Sequence, residues 1–352
     1  MKKLPNLTSI RFFLASIVVV FHIPSYCKNR GLPYYDALPI LNKGTEAVYF
    51  FFSLSGFLII RNLFIEKSKG TIHLKNFFVR RALRILPLYY LVFFIGLTFY
   101  HLIAPLFGFT HTSEYNIFLA LALGLTFFPN ILAKYGPGGI IEILWSIGIE
   151  EQFYVFIAPV IYFLKPLKVF LFLIFFTILY FYIFNFSYLN ELLNEYGMAF
   201  FYFSFSGIVA YTFNLSNNLF KTPIPLTFVS SLISFFIFFT NIFKNSLNNE
   251  TYHLLCMFSF SLTIYFLSQK PIGFLENKFF VTLGEISYGI YMYHAITFQF
   301  IGYLFLKMKL YLLLDNFFSI ILFNLSVFFL TICISYFSYH FFEKKFLTLK
   351  KY

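Results

Sequence analysis

Apolar residues gather into stretches near 8–25, 46–65, 85–105, 144–164, 168–186, 198–214, 222–243, 252–268, 283–306 and 317–340. A hydrocarbon core of about 30 Å needs roughly 20 residues of helix, and a helix satisfies its own backbone amides there. The pattern predicts an all-α protein, a polytopic transmembrane helical bundle of about ten spans. An eleventh stretch, 115–132, runs into Ala133-Lys134-Tyr135-Gly136-Pro137-Gly138-Gly139, a breaker-rich segment suited to a re-entrant loop over 115–140. Charge arbitrates. With a cytoplasmic N-terminus and 115–132 not crossing, Lys and Arg fall mostly on the cytoplasmic side. If 115–132 crosses, every later loop changes sides and the bias nearly vanishes. The positive-inside rule therefore favours ten crossings with both termini in the cytoplasm.

Composition points the same way. Of 352 residues, 60% are hydrophobic and 11% charged, and the mean hydropathy is +0.78. A soluble protein of this length could not hide that much apolar surface. The net charge of +12 marks cytoplasmic loops rather than nucleic-acid binding. Cys27, Cys256 and Cys333 form no CxxC pair and no even framework, so neither a disulfide scaffold nor a metal site is expected. The opening MKKLPNL and the apolar run behind it differ from a signal peptide, because Arg11 interrupts the run and no small-residue cleavage site follows. It reads as a retained first span. The whole chain, 1–352, is expected to be one membrane domain with no soluble domain attached.

Against this background the few polar residues inside apolar stretches stand out. Arg11 and His22 lie eleven positions apart in the first span. Eleven steps of a helix make three turns plus roughly 20°, so both share one face, about 16 Å apart along the axis. Ionisable groups inside a span are costly and mark candidate functional sites. After the second span, Arg81 and Arg84 share a helix face, and with Arg80, Lys75 and Lys69 they make a basic cluster. Such a cluster serves as a positive-inside anchor or attracts anionic lipid. It equally suits a phosphorylated donor, because Arg forks match phosphate oxygens.

Three further stretches carry polar groups. In GTEAVYFFFSLSGFLI (44–59), Ser53, Ser55 and Gly56 favour close helix packing, and Glu46 reads as an interfacial carboxylate. In LWSIGIEEQFYVFIAP (144–159), Trp145 suits a membrane-edge anchor. There Ser146, Glu150 and Tyr154 share a stripe, next to Glu151 and Gln152. The ten-span arrangement puts Glu150 near the outer end of its span and His22 near the outer end of the first, at matching depth. A histidine and a carboxylate at one depth make an acid/base pair, or else a polar contact in the bundle. In LGEISYGIYMYHAI, Ser287, Tyr291 and His294 share a face, with His294 near mid-membrane, where a histidine among tyrosines is commonly a packed polar contact. Glu343, Lys344 and Lys345 at the last span's exit read as orientation signals.

Together these stretches resemble the acyltransferase-3 family of integral-membrane acyltransferases, which includes O-antigen and nodulation-factor O-acetylases. The resemblance covers about 4–346. It rests on Arg11-x10-His22, the 44–59 block, Arg81-x-x-Arg84-Ile85-x-Pro87, Trp145-Ser146-x3-Glu150-x-Gln152-Phe153-Tyr154, Leu283-Gly284-x2-Ser287-Tyr288 through His294, and a closing Glu343-Lys344. Lys345 stands where the family commonly has a proline, and Glu46 and Tyr49 vary the second block. The resemblance implies a membrane O-acyltransferase moving an acyl group, often acetyl from acetyl-CoA, to a hydroxyl of an envelope carbohydrate or lipid-linked glycan. It implies a bacterial cytoplasmic (inner) membrane location, catalytic importance for Arg11 and His22, and a donor-side role for Arg81 and Arg84. Glu150 becomes a functional candidate. No tightly bound cofactor or metal is expected, and acyl-CoA serves as donor substrate.

On this reading the basic loop grips CoA phosphates, Arg11 helps, and His22, oriented by Glu150, acts as general base on the acceptor hydroxyl. Ser146, Tyr291, His294 and Glu46 remain further candidates. A rival class is a glycolipid transporter or flippase, since intramembrane His, Glu and Arg also serve proton-coupled carriers. A scaffold without catalysis leaves the stripe on the first span unexplained.

Overall fold

Each of the ten apolar stretches is helical over most of its length in the computed structural model, which describes residues 3–106, 108, 115–214 and 224–349. The helices are α1 (Leu7–Asn29), α2 (Gly44–Ser68), α3 (Leu74–Thr98), α4 (Ile117–Leu125), α5 (Trp145–Phe163), α6 (Pro166–Phe186), α7 (Phe201–Asn214), α8 (Ile224–Phe239), α9 (Asn249–Leu267), α10 (Lys278–Glu285), α11 (Ser287–Lys307) and α12 (Asn316–Ser338). Residues 222–223 of the expected seventh span lie outside the described residues. No strand occurs among the described residues, so the all-α class holds. Five helical rods are long and apolar enough to cross a membrane by length and composition: Leu7–Asn29, Gly44–Ser68, Leu74–Leu106, Pro166–Phe186 and Asn316–Thr348. They fit a multi-pass membrane protein.

The outward faces carry the same message. On α6, Leu167, Leu171, Phe175, Ile178 and Tyr182 are exposed at helical spacing. On α12, Phe318, Leu322, Leu325 and Phe329 repeat the pattern. Apolar stripes of this length are costly in water and suited to lipid.

Helix α1 begins where Asn6 takes a left-handed conformation, φ 62°, which Asn tolerates better than most side chains. Its side chain donates to the carbonyls of Leu267 and Lys270, each at 2.7 Å, and accepts from Ile272 N at 2.9 Å. One buried amide thus ties the start of α1 to the segment after α9. Helix α1 then packs on α2, α10 and α11. Glycines set the closest approaches. A Cβ at Gly284 of α10 would lie 2.1 Å from the carbonyl oxygen of Thr8, and one at Gly56 of α2 would lie 2.2 Å from that of Phe203. The small residues expected to draw α2 toward another helix therefore do so at Gly56, and the partner is α7. At the far end of α2, Lys67 donates to the carbonyls of Ile161, Tyr162 and Leu164 at 2.5–2.9 Å, covering the C-terminus of α5.

The segment expected to re-enter has a definite form. Asn116 caps α4, accepting from Leu119 N at 2.7 Å. At nine residues, α4 is about 13 Å long, too short to cross a hydrocarbon core by itself. Short helices Pro129–Leu132 and Gly139–Glu142 follow. Gly138 between them has φ 89°, and a Cβ there would strike the Tyr100 ring at 2.3 Å. Residues Ile140, Ile141, Ile143 and Leu144 are buried, so the chain reaches α5 from inside the protein.

Candidate functional site

Helices α1, α2, α3, α5 and α11 surround two cavities, each lined by one end of the α1 stripe. The first is a chamber of about 200 Å³ lined by Arg11, Ser55, Arg81, Arg84, Glu150 and Tyr291, among others. Arg11, Arg84 and Tyr288 also line a mouth of about 230 Å³, together with Lys3, Thr8, Glu285, Tyr339 and Glu343. The second cavity, about 710 Å³, holds His22, Tyr26, Arg30, Tyr49, Trp145 and His294.

In the chamber, Arg81 and Arg84 come from a helix rather than a surface loop, because α3 begins at Leu74 and carries both to the chamber wall. The Arg81 guanidinium lies over the Tyr154 ring, 4.1 Å from its centroid, a cation–π contact. Ser55 Oγ donates to Glu150 Oε1 and Tyr154 OH donates to Glu150 Oε2, each at 2.9 Å. Glu150 interacts electrostatically with Arg11, Arg81 and Arg84, yet none of the three arginines forms an ion pair within 4 Å among the described residues. The neighbouring basic residue Arg80 is spent on Glu66 at 2.7 Å. Three guanidiniums and one carboxylate, Glu150, thus line the chamber itself, while Glu151 acts on Arg81 from behind it and Glu343 acts on Arg84 at the mouth. Arg forks suit oxyanions, so three guanidiniums lining one chamber without a close ion pair suit an anionic ligand.

The His22 cavity is chemically different. The His22 ring stacks on that of His294, with centroids 5.3 Å apart and planes at 28°. Ser25, Tyr26 and Asn29 line the cavity with His22 at the three-, four- and seven-residue spacing of one helix face. Arg30 Nη2 donates to Gln299 Oε1 at 3.0 Å, and Gln299 Nε2 donates to Tyr100 OH at 3.4 Å. Hydroxyl, amide and aromatic groups predominate here.

Tyr291 stands between the two spaces. Its hydroxyl donates to Ile143 O at 2.8 Å and pairs with Ser146 Oγ at 2.7 Å. Ser146 and Tyr291 line the chamber, whereas their neighbours Ile143, Trp145 and His294 line the other cavity. The expected face of Ser287, Tyr291 and His294 thus runs past the boundary, with Ser287 and Tyr291 on the arginine side.

The structure does not bring Glu150 to His22. Glu150 belongs to the arginine chamber and His22 to the other cavity. Matching their depths assumed that α5 starts at the membrane edge. Instead residues 129–144 fold in ahead of it, so Trp145 and Ser146 sit at the boundary and Glu150 lies one turn further toward the arginines. Trp145 accordingly packs edge-on against Phe52, centroids 6.1 Å apart, and lines the His22 cavity. Glu46 joins neither space. It is buried, accepts from Tyr252 OH at 3.0 Å and faces Lys43 and Lys244 at 3.6 and 3.7 Å, a clasp joining the start of α2 to α9. Glu343, read from the sequence as an orientation signal, lines the arginine mouth, as does Tyr288. Neither had a sequence signal for this beyond its place in a recurring block. No group of three or more His, Cys, Asp or Glu that could hold a metal occurs among the described residues.

A helical membrane protein with an arginine-lined chamber behind a histidine-lined cavity is thus defined by fold and geometry. Residues 4–340 match the profile of the family described as "Acyltransferase domain". The chain belongs to this family, the acyltransferase-3 family. It is similar to a protein of Acidianus two-tailed virus named "Putative acetyltransferase ORF330", with 28% identity over 313 residues, covering 85% of this chain and 84% of that one. No solved structure matches the chain.

Proposed function

We propose that the protein is a membrane O-acyltransferase that takes an acyl group, acetyl in the first instance, from acyl-CoA and places it on a hydroxyl of an envelope carbohydrate or lipid-linked glycan. The observation that carries this reading is the division of the α1 stripe: Arg11 serves an anion-seeking chamber, and His22 serves a separate cavity rich in hydroxyl, amide and aromatic groups. The acyltransferase family and the acetyltransferase name of the viral relative support it. CoA phosphates would meet Arg11, Arg81 and Arg84 from the mouth, on the cytoplasmic side, and the thioester would be carried toward Tyr291 and Ser146. Ten crossings, both termini in the cytoplasm and a bacterial inner-membrane location complete the proposal.

In the transfer step the acceptor oxygen attacks the thioester carbonyl carbon while His22 takes its proton. The C–S bond then breaks, and the departing thiolate receives a proton from the imidazolium, returning His22 to its neutral form. General base catalysis of this kind typically contributes 10²–10⁴-fold. Glu150, away from His22, acts on the donor side by balancing the arginines. The reading is tested by supplying radiolabelled acetyl-CoA to membranes containing the protein. Label moving into glycan or lipid supports it, and membranes that transfer none contradict it and leave the carrier class.

A further inference from the structure

His294 is fully buried, yet it lines the same cavity as His22. Its Nδ1 lies 2.5 Å from the carbonyl oxygen of Tyr291. A carbonyl only accepts, so Nδ1 carries the proton, and in the neutral ring Nε2 holds a lone pair. That nitrogen is buried and without a partner. A buried acceptor left unmatched costs stability, so its presence asks for a donor that arrives with a ligand.

No group among the described residues supplies one. His22 offers the face of its ring, stacked on His294. Thr297, one turn on, donates its hydroxyl to the His294 carbonyl and pairs with Thr331 Oγ1, each at 2.7 Å. Tyr291 commits its hydroxyl to Ile143 and Ser146. Two imidazoles therefore face one cavity with different freedoms. His22 makes no side-chain hydrogen bond among the described residues, whereas His294 is tethered through Nδ1 in one tautomer and keeps Nε2 as an acceptor.

We propose that His294 is an acceptor-orienting residue: its Nε2 takes a hydrogen bond from the acyl acceptor and so sets the reacting hydroxyl against His22. This rests on the acyltransferase reading above. The reacting hydroxyl has one proton, which goes to His22, so the donor at His294 is a second hydroxyl or N–H of the acceptor. The acceptor is thereby a polyol or amino sugar rather than a simple alcohol.

Membranes carrying wild type, His294→Asn or His294→Gln are given radiolabelled acetyl-CoA. An Asn amide can keep the bond to Tyr291 but has no group at the Nε2 position, whereas a Gln carbonyl reaches it. Transfer by the Asn variant is expected to fall about tenfold, the loss of one hydrogen bond, with an unchanged apparent KM for acetyl-CoA, and Gln is expected to restore most of it. Full-rate transfer by Asn, or equal loss in both variants, overturns the proposal. So does an isolated product with no hydroxyl or N–H near the new ester. If the wild type itself transfers nothing, the acyltransferase reading falls separately, and nitrogen-15 NMR of histidine-labelled protein decides the geometry. The spectrum should show His294 protonated on Nδ1 with an unprotonated Nε2, and a His294 protonated on Nε2 refutes the open acceptor.

Discussion

At the scale of single residues, two kinds of charged or basic group, the arginines and the histidines, line separate cavities. In the proposed transfer His22 works as a neutral imidazole, so protonating it in acid should slow the reaction, which a pH–rate profile checks. His22→Ala should lose 10²–10⁴-fold in transfer while expression and membrane insertion stay normal, measured by label incorporation against protein amount. An active, well-expressed variant would remove the assignment. Arg81 and Arg84 should show in a different constant. Arg81→Ala combined with Arg84→Ala should raise the apparent KM for acyl-CoA by about tenfold or more, the scale of a lost charge-assisted hydrogen bond. Unchanged donor kinetics would make them orientation signals only.

At the scale of elements, glycine contacts decide how near the helices stand. Gly56 on α2 faces the Phe203 backbone of α7 with no room for a methyl, and backbone cannot swing aside as a long side chain can. Gly56→Ala should therefore cost about 1–3 kcal/mol of overpacking and lower the thermal midpoint of the detergent-solubilised protein, while Gly273→Ala, with open space around it, should not. Much of this level was legible from sequence. Apolar runs announced the helices, Ser53, Ser55 and Gly56 announced a close contact, and Arg11 and His22 declared their common face by period alone. Depth was not legible. Periodicity says which residues share a face but not how far a helix start is sunk, and residues 129–144, packed beneath the start of α5, shift Glu150 by a turn from where a span beginning at the edge would put it. The place of Arg81 and Arg84 on the chamber wall escaped for a related reason, since a basic cluster reads alike whether it coats a surface or lines a chamber.

At the scale of the molecule, the arginine mouth and the histidine cavity open from different ends of the α1 stripe, with the Tyr291–Ser146 contact between them. A donor and an acceptor kept on opposite sides of that contact need never share one solvent. The most direct measurement uses sealed inverted membrane vesicles, with radiolabelled acetyl-CoA outside, at the original cytoplasmic face, and the label then located by enzymes that cannot cross the bilayer. Labelled acceptor is expected in the lumen with wild type and none with His22→Ala. Label confined to the face that received the acetyl-CoA, or luminal label that persists in His22→Ala, would contradict it.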